Sequence, residues 1–507
     1  MKNSKFIYGT IILATSSLIV RMLSLSYDIT LSRMIGAEAI GLFYLVNPIL
    51  MMFLMVTTAG IPTAVSKLVS KAKSRNSNYD VTVTVNATIL LTLIISFILA
   101  LILIVTSKHI SINIYNNERL LSLIYVSIPA IPILSLTSVL RGYLYGLNKM
   151  AQAGFSEIIE HIGRFIIIIF ILFYIHPVSP YTSCKIAIFG ISIGEFFDLI
   201  YLLSIYKKNT RDTGLAIYSK DSFKSIVLKI IKIATPLTIL GFVSVASQSL
   251  NTILIPKSLL EAGLSQSQSI ETLGRIMGMG MPLVYLPYIV TSALVINIIP
   301  NLSNQSHLKN YKDIKINITL SIRITFIITL PTMIVFFIHS HPLSVLLYND
   351  IHAAKYIKIM SCGMVFLAIQ HIFSGILYGI GKQVRATVHR IIGIAFQLFC
   401  IVFLISNPRY GVNGYFIGFI LSPIIVFLFD MTVLHRYLRS TFTDFIFFSK
   451  IGISILITTI LTFLYSNFST SWNIPINNTT IFTILIYFIS YIGLLIFLKA
   501  NPLDIKV

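Results

Sequence analysis

Fourteen apolar stretches, each long enough to cross a bilayer, alternate along this chain with short polar connections, and that rhythm constrains its fold more than any other feature. The stretches lie near 6–26, 40–65, 81–106, 120–144, 155–176, 183–206, 230–256, 276–299, 316–340, 356–380, 386–406, 411–434, 445–466 and 478–498. About 20 predominantly apolar residues make one helical span. Hydrophobic residues are 56% of the 507, charged ones only 11%, and the mean hydropathy is +0.88. A water-soluble globule of this length needs far more polar surface, so the chain reads as an all-α polytopic membrane protein. Its basic residues concentrate on alternate connections, as in Lys67, Lys71, Lys73 and Arg75, or Lys207, Lys208 and Arg211. Basic loops stay on the cytoplasmic side, which predicts both termini on that side of the membrane.

The formal charge of +21 follows from this topology together with anionic lipid headgroups, and no nucleic-acid partner is expected. Cys184, Cys362 and Cys400 fall in or beside apolar spans, where an odd number reads as packing rather than a disulfide framework. Lys2 and Lys5 precede an apolar run too long for a signal peptide and interrupted by Arg21, so it is read as a retained first span.

Compared with itself at an offset of 233, the chain aligns RGYLYGLNKMAQAGFSEII from Arg141 with SGILYGIGKQVRATVHRII from Ser374, and Asp80 with Asp313. The offset maps spans 2–6 onto 8–12, which predicts two parallel six-helix lobes. The expected division is an N-lobe at 1–206, a linker at 207–229, a C-lobe at 230–438, and two further spans with the tail at 439–507. Parallel repeats of this kind are a transporter design, with the substrate site between the halves and alternating access. Spans 13 and 14 read as a packing or lipid-facing pair.

Membrane-embedded ionisable residues face a cavity or a partner, because a bare charge there is costly. Glu157, Glu160, His161 and Arg164 stand at i, i+3, i+4 and i+7, on one helical face. Glu157–His161 and Glu160–Arg164 are pairs that can neutralise each other locally. Glu195 and Asp198 lie mid-span in the next helix, where Glu195 has the depth to meet Arg164. Arg21 interrupts the first span, with Asp28 and Arg33 further along; Arg275 opens span 8. Arg323 and Asp430 lie near inner span ends, where snorkelling is expected, and His371 reads as a hydrogen-bonded packing residue. Gly60-Ile61-Pro62, Pro129, Pro132, Pro236, Pro282 and Pro287 mark bends.

The stretch LSRMIGAEAIGLFYLVNPI from Leu31, then TAGIPTAVSKLVS from Thr58, resembles the start of the stage V sporulation protein B group. Similar too is Ile255 to Pro287, with Ile255-Pro256, Ala262-Gly263, Leu273-Gly274, Gly278-Met279, Pro282-Leu283 and Leu286-Pro287 in the group's order. That group belongs to the multidrug/oligosaccharidyl-lipid/polysaccharide flippase superfamily, which includes MATE-like exporters and the lipid II flippases. The resemblance covers essentially the whole chain. Asp28, where relatives often carry a basic residue, and Asn251, where an acid is expected, depart from it.

The resemblance implies a flippase, not an enzyme, moving a lipid-linked saccharide of undecaprenyl-pyrophosphate type for cell-wall, spore-cortex or polysaccharide synthesis. It implies no bound cofactor, coupling to an ion gradient or the membrane potential, and partners among membrane lipids and cell-wall synthesis proteins. The pyrophosphate is then expected on Arg21, Arg164 and Arg275, since a guanidinium fork matches phosphate oxygens. Glu157, Glu160, His161, Glu195, Asp198 and Asp28 are expected to balance charge or couple to the ion, and no metal is expected. Those acids leave open an ion-coupled exporter of organic cations from the same superfamily. A membrane-embedded glycosyltransferase is disfavoured, because the longest polar connection is residues 207–229 and there is no Asp-X-Asp motif.

Overall fold

The computed structural model describes the backbone of residues 2–75, 77–176, 179–210, 223–438, 445–471 and 476–503. Contacts divide the chain into two compact units, Met1–Lys257 and Ser258–Val507. The first contains α1 (Lys2–Thr58), α2 (Ile61–Ser74), α3 (Asn78–His109), α4 (Arg119–Ser127), α5 (Ala130–Gly146), α6 (Met150–Ile175), α7 (Pro180–Thr210) and most of α8 (Phe223–Glu261). The second contains α9 (Gln266–Gly274), α10 (Met281–Val284), α11 (Leu286–His307), α12 (Tyr311–Ile338), α13 (Ser340–Tyr348) and α14 (Ala353–Gly379). It continues with α15 (Gln383–Phe399), α16 (Val412–Leu438), α17 (Phe445–Ser471) and α18 (Ile476–Phe497). Single π-helical turns occupy Ile110–Ile114, Arg275–Gly280 and Cys400–Ile405.

Among the described residues, thirteen segments are long and apolar enough to cross a membrane. The first, Thr15–Ser74, is 60 residues long and takes in two of the stretches read from the sequence. It bends at Gly36, whose φ of 78° and ψ of 174° are a glycine conformation. It breaks again at Ala59–Gly60, where Pro62 starts α2. The stretch expected at 276–299 differs most: Pro282 and Pro287 each sit in a helical first turn, so the apolar run divides into a π turn, α10 and α11. A proline restarts a helix there because it lacks the N–H that an interior position must bond.

The repeat is written into the local geometry. Helices α2 and α11 end 233 residues apart, at Ser74 and His307, and α5 and α14 at Gly146 and Gly379. Ser77 and Asn310 cap their helices by accepting from the backbone N–H of Asp80 and Asp313. Even the left-handed residues correspond, Asn116 with Asn349 and Asn148 with Gly381.

Each unit has its own core. In the first, Ile61, Val65 and Val69 of α2 pack with Val81 and Val85 of α3, Leu140 and Tyr143 of α5, and Ile226, Ile230 and Ala234 of α8. In the second, Ile298 and Leu302 of α11 meet Ile314 and Ile318 of α12, Ile372 and Ile376 of α14, and Leu434 of α16. Outward stripes stay apolar, as with Phe97, Leu101 and Val105 of α3 or Ile166, Phe170 and Phe173 of α6. Such exposure suits a lipid solvent, where helices satisfy their own backbone.

Arg323 and Asp430 do not snorkel; both are buried. Arg323 donates to the Pro502 carbonyl at 3.0 Å and lies 4.4 Å from the Phe447 ring centroid. The C-terminal helices therefore cover it: Phe447 and Ile451 of α17 and Ala500 pack against Phe326, Ile327 and Leu330 of α12. Cys184 and Cys400 are buried and all three cysteines are free thiols.

Candidate functional site

Three helices of the first unit bring a charged network into the apolar interior. Because α6 and α7 are antiparallel neighbours across a short connection, the acids at mid-height on each face one another, with α5 packed on α7 beside them. Gly194 permits the approach: a Cβ there would stand 3.0 Å from the Glu160 carbonyl and from the Arg164 side chain.

Arg141 of α5 is the hub. Its Nη2 donates to Glu160 Oε2 at 2.8 Å and to Asp198 Oδ2 at 2.5 Å. Arg164 grips the other Glu160 oxygen, one helical turn away on α6. Glu195 accepts from the Thr137 hydroxyl of α5 at 2.9 Å. Glu160, Glu195 and Asp198 are 6%, 3% and 0% exposed. One oxygen or another of each lies within 4.8 Å of the others, close enough to hold a cation. Two guanidiniums against three carboxylates leave the network one positive charge short of balance when all are ionised. Like charges this close in a low-dielectric interior favour the uptake of one more positive charge.

The remaining candidates border this network. Tyr27 and Asp28 of α1 bear electrostatically on Arg164, and the Tyr27 ring meets Phe165 edge-on at 6.1 Å. His161 Nδ1 is 3.3 Å from Ser24 Oγ rather than paired with Glu157, while the half-buried Glu157 bears on Arg141. Arg21 is exposed on α1, on the face it shares with Ser24 and Asp28 at i, i+3 and i+7. The α1–α6 register, Ser16 beside Gly154 and Ser24 beside His161, sets Arg21 level with the turn between Glu157 and Glu160.

Arg275 belongs to the second unit, in the π turn, and is held by Asp350 at 2.8 Å and Glu271 at 3.2 Å. The direct Arg164–Glu195 pair suggested by matching depth is not formed; Arg164 turns back to Glu160. Sequence reasoning missed Arg141, although the residue lies inside the stretch at 120–144 and opens the repeated motif. Thr137, one turn earlier on α5, carried no visible signal. His371 is hydrogen-bonded as expected, its Nδ1 2.8 Å from the Tyr288 hydroxyl.

The family model for polysaccharide biosynthesis proteins matches residues 6–305, more than half of the chain. The chain belongs to the polysaccharide biosynthesis protein family. A second model, MatE, matches residues 276–404 of this family member. It is 22% identical to stage V sporulation protein B of Bacillus subtilis (strain 168) over 440 residues, covering 86% of this chain and 85% of that protein. It is 24% identical to the lipid II flippase MurJ of the same organism over 460 residues, covering 86% and 83%. Among solved structures, lipid II flippase MurJ in an inward closed conformation superposes with a TM-score of 0.68 at 16% identity, covering 96% of this chain and 99% of that one. An inward-facing multidrug resistance MATE family transporter of the MOP superfamily gives 0.61 at 15%, covering 84% and 99%. The structural likenesses establish the fold, a multi-pass helical membrane protein, and together with the two family models they place this family member in the MOP superfamily.

Proposed function

We propose that this protein is a flippase that carries a lipid-linked saccharide of undecaprenyl-pyrophosphate type across the bacterial cell membrane by alternating access, with both termini cytoplasmic. The observation that carries the reading is the state of the acids. Glu160 and Asp198, which an exporter of organic cations would need free, are occupied by Arg141 and Arg164. Of the three acids, only Glu195 is held by a neutral group, which leaves room for a proton or a small cation rather than an organic one, while an anionic headgroup can meet the exposed Arg21.

In the proposed cycle Arg21, exposed beside the network, takes the pyrophosphate first. Arg164 and Arg275 reach a phosphate by exchanging partners, Arg164 releasing Glu160 and Arg275 releasing Asp350 or Glu271. Such an exchange keeps each guanidinium paired throughout, which avoids stranding a charge in low dielectric. Glu195, held by a neutral hydroxyl, takes up the charge that balances the network, a proton or a small cation, and so links it to an ion gradient or the membrane potential. Glu157, His161 and Asp28 tune that balance from the rim. The resemblance to the sporulation relative extends the reading to cell-wall or spore-cortex synthesis, with cell-wall enzymes as partners.

Translocation of a fluorescent undecaprenyl-pyrophosphate saccharide in proteoliposomes tests this, wild type against Arg21→Ala at equal, orientation-checked reconstitution. Transport by wild type that falls in the variant is expected; an undiminished rate in Arg21→Ala removes Arg21 from the phosphate site.

A further inference from the structure

The second unit holds a buried carboxylate that the network described above does not include. Asp430 of α16 is fully buried, yet its Oδ2 accepts only from the Ser374 hydroxyl of α14, at 2.7 Å, and its Oδ1 lies 2.7 Å from Nδ1 of His389 on α15. Ser374 is 233 residues after Arg141, and His389 is 233 after Ser156, the α6 serine that faces Asp198 in the first unit. The same two repeat positions therefore surround an acid from the following helix in both units, but with different chemistry. In the first unit the acid meets a guanidinium, which is charged at every physiological pH. In the second the guanidinium has become a hydroxyl and the serine an imidazole.

We propose that His389 and Asp430 form a proton-binding site whose occupancy drives the packing of α15 on α16, and through it the transport cycle; the coupling to transport rests on the flippase reading. The electrostatics reduce to a few groups. Besides the pair itself, the ionisable residues on the packed elements are Arg385 and Arg390 on α15, Lys355, Tyr356, Lys358, Cys362, His371 and Tyr378 on α14, Lys382 in the turn between them, Tyr415, His435, Arg436 and Tyr437 on α16, and Cys400 in the π turn. His389 is the residue whose charge acts on Asp430 directly.

Nδ1 faces the carboxylate, so the proton is exchanged at Nε2 of a ring that is half-buried and lies beside Phe429, 5.4 Å between centroids. With the proton on, imidazolium and carboxylate cancel. With it off, a carboxylate without exposure is left on neutral donors alone, a state relieved when α15 and α16 part and admit water. Histidine is the side chain suited to this task, because imidazoles titrate between about pH 5 and 8. An arginine at either repeat position would abolish the device, as in the first unit.

The test measures two properties of full-length protein across that pH range: the thermal unfolding midpoint in detergent, and translocation of the fluorescent lipid-linked saccharide in proteoliposomes. The variants are His389→Arg, which keeps the charge but not the titration, and the neutral double variant His389→Gln/Asp430→Asn. Expected for wild type is a midpoint that changes with pH and a translocation rate that changes by about tenfold per pH unit on the titrating limb, as one bound proton requires. Both variants lose that share of the midpoint's dependence, and the arginine variant translocates at a pH-independent rate. A wild-type dependence retained in either variant's midpoint overturns the site, and a wild-type rate profile in His389→Arg overturns the coupling. Should wild type move no saccharide while its midpoint titrates and the variants' midpoints do not, the proton site stands and the flippase reading falls.

Discussion

Replacing Arg141 with leucine strands Asp198 and one side of Glu160 in the interior of the first unit. Breaking a buried ion pair by removing one partner costs about 3–5 kcal/mol, because the remaining charge is uncompensated. The expected outcome is a markedly lower unfolding midpoint in detergent for Arg141→Leu, restored in part by adding Asp198→Asn. Arg21→Ala is the opposite case. Arg21 is exposed, so its stability change stays within about 0.5 kcal/mol. Its loss removes a hydrogen bond to a charged phosphate, about 1.5–3 kcal/mol, or roughly a ten- to hundredfold fall in translocation. At this scale spacing showed one of two within-helix pairs: Glu160 and Arg164 meet, whereas His161 turns to Ser24 instead of Glu157. It misjudged pairs between helices, because spacing gives depth but not rotation. Arg164 and Glu195 share a level, yet Arg164 turns back to Glu160 on its own helix and Thr137 of a third helix, α5, takes Glu195. Asp430 near a helix end looked free to reach water for the same reason, until Ser374 and His389 closed over it from two other helices.

Helix ends and kinks carry the next level of the argument. Gly36 bends α1 with a backbone geometry closed to other residues, and Gly36→Val is expected to cost about 1–3 kcal/mol, read as a lower unfolding midpoint with the core otherwise unchanged. The added α17 and α18 also have a defined task. Phe447 fills a buried site and lies over the Arg323 guanidinium, so Phe447→Ala combines a core deletion of about 3–5 kcal/mol with a lost cation–π contact. Arg323→Met should restore much of that stability, which a unit whose α17 merely faced lipid would not show. Hydropathy displayed nearly every span, because lipid solvation demands about 20 apolar residues in a row. It missed the division of 276–299, since two prolines alter hydrogen bonding without altering hydropathy. It also missed the cover over Arg323, because contact between α12 and a tail carbonyl about 180 residues later leaves no periodic trace.

Over the whole molecule, two units built on one repeat carry different electrostatics: arginine-clamped acids in Met1–Lys257, and a histidine-held acid in Ser258–Val507. The repeat itself was legible because identical residues recur around its turns, Gly142, Tyr145, Gly146 and Lys149 over Gly375, Tyr378, Gly379 and Lys382, where apolar positions drift. Substrate class is not encoded that way; it follows from which charges remain available once the buried ones are paired. The most direct measurement of the central claim is therefore a substrate comparison on one reconstituted sample, with a fluorescent undecaprenyl-pyrophosphate saccharide and a fluorescent organic cation offered to the same proteoliposomes. Translocation of the saccharide with no efflux of the cation is the predicted result; cation efflux with the saccharide left in its original leaflet would contradict it.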